Sequence, residues 1–236
     1  MHSLRNLSTF ILLLSGILLF DCAATPNLSS NDDQIAVSTS ADNVSQADVD
    51  RVKKEAKKAL NNIPPILGIQ YNKRIEINIV DSGICHAYGG IVSCPGWRVR
   101  NKTAAIVHEV THIIAKHRDN RFFSEGLAVY FQERFGEDHG FPSFSGMPLN
   151  DLVKKYKDQL MPISHLSNNN EIFRQVGTEK RKIAYIEAGS FVDYLVEAYG
   201  EQKLKELHAI QALNYKSIYG KSVKELEVEW QQFVFE

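Results

Sequence analysis

Ile106-Val107-His108-Glu109-Val110-Thr111-His112-Ile113-Ile114 decides how this chain is read. On a helix, His108 and His112 stand one turn apart, about 6 Å along the axis, and present both imidazoles on one face. Two such nitrogens can grip one zinc ion. Glu109 lies beside them, close enough to reach a water on that ion without replacing it. The flanks Ala104, Ala105, Ile106, Val107, Val110, Ile113, Ile114 and Ala115 are apolar almost all round, which marks the helix as buried. A surface helix with two chance histidines would not carry them. A buried His-Glu-His set needs partners, and a metal supplies them.

A catalytic zinc takes three protein ligands and keeps one position open. His117 is the nearest remaining histidine, but it falls roughly 140° around the helix from the ligand face. Glu125 fits better. It begins a second apolar run, Ser124-Glu125-Gly126-Leu127-Ala128-Val129-Tyr130-Phe131, after the break Arg118-Asp119-Asn120-Arg121. Ser124 is expected to cap this second helix. Glu125 would then point from its first turn at the first helix, and Gly126 would let the two backbones approach closely. The other reading of Glu125 is a first-turn acid that complements the helix dipole.

His108-Glu109-x-x-His112 followed by Phe123-Ser124-Glu125-Gly126-Leu127-Ala128 resembles the gluzincin metallopeptidases. It is most similar to their small peptidase MA-like group, with an H-E-x-x-H helix and then an E-G-x-A helix. Ala184-Tyr185-Ile186-Glu187-Ala188-Gly189-Ser190-Phe191-Val192-Asp193-Tyr194-Leu195, ending in Tyr199-Gly200, resembles the long helix behind the active site in that group. The resemblance covers about residues 75–235. It implies an α+β, zincin-like fold and one Zn2+ per chain on His108, His112 and Glu125. It further implies Glu109 as general base, with a peptide or protein as substrate. A later-helix tyrosine would serve the oxyanion: Tyr185 first, with Tyr194 and Tyr199 as weaker alternatives. The spacing from His112 to Glu125 is shorter than in the larger gluzincins and leaves less material for a cleft on that side. Two other readings stand beside this one. One is an inactive member kept as a surface binding or assembly protein; the other is a zinc hydrolase of a non-peptide amide.

The rest of the chain bounds the setting. Its 236 residues carry a formal net charge of −1, so neither nucleic acid nor an acidic polymer is implied as a partner. Arg5 and the apolar run Phe10–Phe20 read as an export signal over residues 1–24, too short for a stable membrane anchor. Leu19-Phe20-Asp21-Cys22 resembles a bacterial lipobox with a lipid anchor at Cys22, although Asp21 replaces the expected small residue. Plain cleavage after Ala24 is the alternative, and an uncleaved anchor a third. The protein is thus expected in the cell envelope or secreted. Residues 25–46 read as a flexible linker, and 47–236 as one domain. Export would oxidise Cys85 and Cys94 into a disulfide across a hairpin turned at Gly89-Gly90; two reduced buried cysteines are the other reading.

Within that domain, 47–60 reads as a helix ended by Ile63-Pro64-Pro65. Ile75, Ile77 and Ile79 alternate as a half-buried strand. The Cys85–Cys94 hairpin leads through Trp97 to the zinc helix at about 103–117. The gluzincin resemblance implies that these strands make a small N-terminal sheet edge along the cleft. Gly136–Pro148 is a long loop expected as a lid or rim. Helices then dominate over roughly 149–160, 180–199, 201–213 and 222–235, with Trp230 and Phe233 in the core. His2, His86, His139, His165 and His208 are expected on the surface or in loops.

Overall fold

The alternation at Ile75, Ile77 and Ile79 produces strand β2 (Ile75–Val80), with all three side chains buried and Glu76 exposed. The computed structural model describes residues 34–116, 119–210 and 213–236. In it β2 lies between β1 (Ile35–Thr39) and β4 (Ile91–Pro95), both parallel to it. Strand β3 (His86–Tyr88) pairs antiparallel with β4 and forms the edge, giving the order β1-β2-β4-β3. Gly89 and Gly90 turn the hairpin with φ of 61° and 92°. Two positive φ values in a two-residue turn are what the twist of the flanking strands requires, and glycine meets them without strain. The Cys85–Cys94 disulfide closes the base of the hairpin, as expected.

Strand β1 corrects the reading of residues 25–46 as a linker. Ile35–Thr39 pairs in register with Ile75–Ile79. The segment fully buries only Ile35 of its five residues, with Val37 partly buried against the core. Its order comes from the partner strand. The export signal, Cys22 and residues 25–33 lie outside the described residues, as does His117.

Helix α1 (Gln46–Leu67) starts at a capping box in which Ser45 and Asp48 satisfy each other's backbone N–H. Pro64 and Pro65 do not end it. They sit in its last turn, where Ile63, Pro64 and Leu67 are buried, and burial outweighs the two missing N–H groups. Gly68, at φ 66°, caps the helix, and the Ile69 N–H returns to the Pro64 carbonyl.

After the short α2 (Gly96–Arg100) come α3 (Ile106–Ala115) and α4 (Arg121–Phe135), packed on each other, with α3 also resting on α1. The C-terminal half is helical, as expected: α5 (Leu149–Lys155), α6 (Ile163–Leu166), α7 (Glu179–Tyr199), α8 (Glu201–Ala209), α9 (Tyr215–Tyr219) and α10 (Val223–Phe235). Three details differ. The helix read over 149–160 stops at Lys155 and continues as a 3-10 turn, Lys157–Gln159. That read over 201–213 stops at Ala209. Trp230 is buried, but Phe233 is 41% exposed.

The tightest helix contact is between α4 and α7. A Cβ on Gly126 would sit 2.7 Å from the Ala188 carbonyl oxygen, and one on Gly189 would sit 2.4 Å from Val129 Cγ1. Gly126 therefore serves the approach of α4 to α7, not of α3 to α4. The molecule is α+β, a small mixed sheet beside a helical body. No helix among the described residues is long and apolar enough to cross a membrane.

Candidate metal centre

Helix α3 has Ala105 at its N-cap and no side chain to bond its first-turn N–H groups. Gln132, from α4, supplies the missing acceptor. Its Oε1 accepts from the His108 N–H at 3.0 Å, while its Nε2 donates to the Asp138 carbonyl at 2.9 Å. At the other end, His208 Nε2–H donates to the Ala115 carbonyl at 3.0 Å. His208 is buried, contrary to the surface placement expected from sequence. A ten-residue helix is thus pinned at both ends, which fixes where its imidazoles point.

His108, His112 and Glu125 converge. His108 Nε2 lies 3.2 Å from His112 Nε2. Glu125 Oε2 lies 3.3 Å from the first and 3.1 Å from the second. Three donor atoms form a nearly equilateral triangle. A tetrahedral ion with ligands at about 2.0–2.1 Å would space them roughly 3.3 Å apart, so the triangle is one face of such a shell. His108, Glu109 and Glu125 are buried, and His112 opens partly to solvent. The donor set can hold a divalent metal.

The electrostatics favour a cation at that point. Burial alone would raise the Glu125 carboxyl, but His112 and His108 hold it well below the usual carboxylate range. Burial pushes the His112 imidazole down; Glu125 beside it reverses this and raises it. The triad keeps a buried negative charge and draws positive charge to its centre.

Glu125 is not in the first turn and Ser124 is not the cap. Asn120 caps α4 by accepting from the Phe123 N–H, which leaves Glu125 in the second turn. Ser124 Oγ instead sits 3.3 Å from His112 Nδ1, the ring nitrogen other than the one that faces Glu125. Arg121 Nη1 stands 3.5 Å from Glu125 Oε1. His108 Nδ1 has no hydrogen-bond partner among the described residues; its ring is held by packing, with Tyr185 stacked at 6.1 Å between centroids.

Tyr185 belongs to the site. Arg181 Nη2 donates to its hydroxyl at 2.9 Å. Burial, and then the charge of Glu125, raise the phenol far above its ordinary value, so it stays protonated and can donate. Tyr194 and Tyr199 do not belong: both hydroxyls bond Glu229 on α10.

Two cavities, each about 480 Å³, meet at His112, Arg121 and Glu125. One runs under the hairpin turn past Tyr71 and Tyr88. The other contains Glu109 and Tyr185 and is walled by Phe141 and Phe144, so the 136–148 loop does border the cleft. Edge residue Ala87 of β3 lines both. His86 lines the second cavity; His139 and His165 line neither.

Sequence reasoning missed Gln132, Arg181 and Arg98, which also lines the second cavity. Arg181 was findable, four residues before Tyr185 on one helix face. Gln132 carried no signal, because its partners are joined only by the packing of α3 on α4. No family model, curated protein or solved structure matches the chain.

Proposed function

We propose that this chain is a zinc metallopeptidase of gluzincin type on a zincin-like fold. The observation that carries the reading is the near-equilateral triangle of His108, His112 and Glu125 donors, with Glu109 in the same helical turn and an open groove on either side. Two imidazoles and one carboxylate are a set that zinc takes in hydrolases. When bound there, zinc acidifies water and polarises a carbonyl.

The chain's own groups do the rest. The β3 edge offers backbone hydrogen bonds to an extended peptide lying in the groove. Glu109 accepts the proton of the attacking water and passes it to the leaving amine. Tyr185, kept protonated and held by Arg181, donates to the oxygen of the attacked carbonyl as its charge grows. Ser124 orients the His112 ring, and Gln132 anchors the helix that carries both histidines. The Cys85–Cys94 disulfide supports maturation in an oxidising compartment, in keeping with export as a lipoprotein or a secreted protein.

Cleavage of a diverse peptide library by the purified chain tests the reading. The wild type is expected to cut. Glu109→Gln is expected to lose about 10²–10⁴-fold in kcat while keeping its metal. A wild type that holds zinc yet cuts no peptide would instead support the non-catalytic binding role.

A further inference from the structure

The formal charge of the chain is −1, but the groove is cationic. Lys73, Arg74 and Lys116 line one cavity, Arg98 and Arg181 the other, and Arg121 stands between them. The only carboxylates among the lining residues are Glu109 and Glu125, both at the metal centre. Several basic groups elsewhere are paired: Arg51 with Asp138, Lys54 with Glu137, Arg134 with Glu201, Lys221 with Glu229. In the groove, Lys73, Lys116, Arg98 and Arg181 have no carboxylate within 4.0 Å among the described residues. Such segregation concentrates positive potential along a concave surface.

Arg98 is the most specific of these groups. Its guanidinium carbon lies 4.5 Å from the Trp97 ring centroid and 5.1 Å from that of Phe144. The guanidinium thus packs against both rings, and no side-chain hydrogen bond engages it among the described residues. Its Nε is buried and has no hydrogen-bond partner among the described residues. Burial lowers its pKa, a mark of lost water. Arg181 differs, because its Nε and Nη2 are engaged by the Phe173 carbonyl and the Tyr185 hydroxyl. Around Arg98 the rim is apolar: Ile84, Phe144 and Val176 are exposed and line the same cavity. A half-dehydrated guanidinium without an anion, set among apolar side chains, fits a carboxylate on an otherwise apolar segment.

We infer that the groove selects acidic peptides, with Arg98, packed against Trp97 and Phe144, as the residue that reads a carboxylate beside the scissile bond. This rests on the peptidase reading above. The carboxylate can come from an Asp or Glu side chain or from the C-terminus of the peptide.

The test uses matched quenched-fluorescent peptides bearing Glu, Gln or Lys at each position flanking the cut, each made as C-terminal acid and as amide. With the zinc-loaded full chain, kcat/KM is expected to be at least about ten-fold higher for the acidic peptide than for its Gln counterpart. That ratio should shrink as salt rises. Whether it follows the side chain or the terminus identifies the source of the carboxylate. Arg98→Gln should bring the ratio close to one, Arg98→Lys should keep part of it, and Arg98→Glu should turn the preference toward Lys. Equal cleavage of Glu and Gln peptides by the wild type, or an unchanged ratio in Arg98→Gln, overturns the inference. If no peptide is cut, the peptidase reading fails, and calorimetry with the same peptides decides the subsite. Tighter binding of the acidic peptide that Arg98→Gln abolishes supports it; equal binding of both overturns it.

Discussion

Glu125 shows what a single residue reveals in sequence and what it hides. The run Ser124-Glu125-Gly126 announced a carboxylate near the histidines, and its Oε2 does complete the triangle with both Nε2 atoms. The roles of its neighbours were not legible. Ser124 looked like a cap because a serine before an apolar run usually is one. Asn120 takes that role, and Ser124 is left to face His112 Nδ1. Tyr185, which the downstream helix offers from sequence, does reach the site, stacked on His108 and bonded by Arg181. Its hydroxyl is the part that matters for chemistry, since the ring is already packed between Phe141 and Phe173. Tyr185→Phe is therefore expected to keep the fold and the metal and to lower kcat by about 10²–10³, with KM nearly unchanged. Steady-state kinetics on a cleavable peptide check this. An unchanged kcat would reduce Tyr185 to part of the cavity wall.

Among the elements, α3 carries the site and cannot hold itself in place. It is short, lacks a side-chain cap, and depends on Gln132 at one end and His208 at the other. Both partners are far away in sequence, so neither is visible without the fold. Gln132→Leu would leave the buried His108 N–H unpaired and the Asp138 carbonyl with the Gly140 N–H alone. The expected cost is about 1–3 kcal/mol of stability, with weaker zinc retention. Urea unfolding with and without a chelator measures both; an unchanged midpoint would show that packing alone positions α3. The same contrast between local pattern and tertiary partner explains two other elements. Strand β2 was readable from its isoleucines, whereas β1 exists because β2 pairs with it. Pro64 and Pro65 looked like a stop signal, yet the buried last turn of α1 holds them in the helix.

Across the whole molecule, summed charge concealed the property most relevant to a ligand, because an excess of acidic groups elsewhere offsets a groove that is locally basic. Buried acids set a second global property. Glu187 on α7 is fully buried, accepts one hydrogen bond from the Met161 N–H, and is pushed up to about 9 by that burial. It is protonated in the folded chain and ionised in the unfolded chain above its ordinary value of 4.5. Its contribution is complete below that value and is lost as pH rises toward about 9. The slope for one such proton is about 1.4 kcal/mol per pH unit. Glu187→Gln should remove that slope, so the variant matches the wild type near pH 5 and exceeds it at pH 8. Parallel urea midpoints at the two pH values check this, and identical pH dependence in both proteins would contradict it. Everything proposed for the groove depends on a zinc ion at His108, His112 and Glu125, and metal content tests that most directly. Elemental analysis by mass spectrometry of the full chain, purified without chelator and dialysed, should find about one zinc per chain in the wild type and in Glu109→Gln, and none in His112→Ala. A wild type without zinc, or a His112→Ala chain that keeps it, would contradict the account.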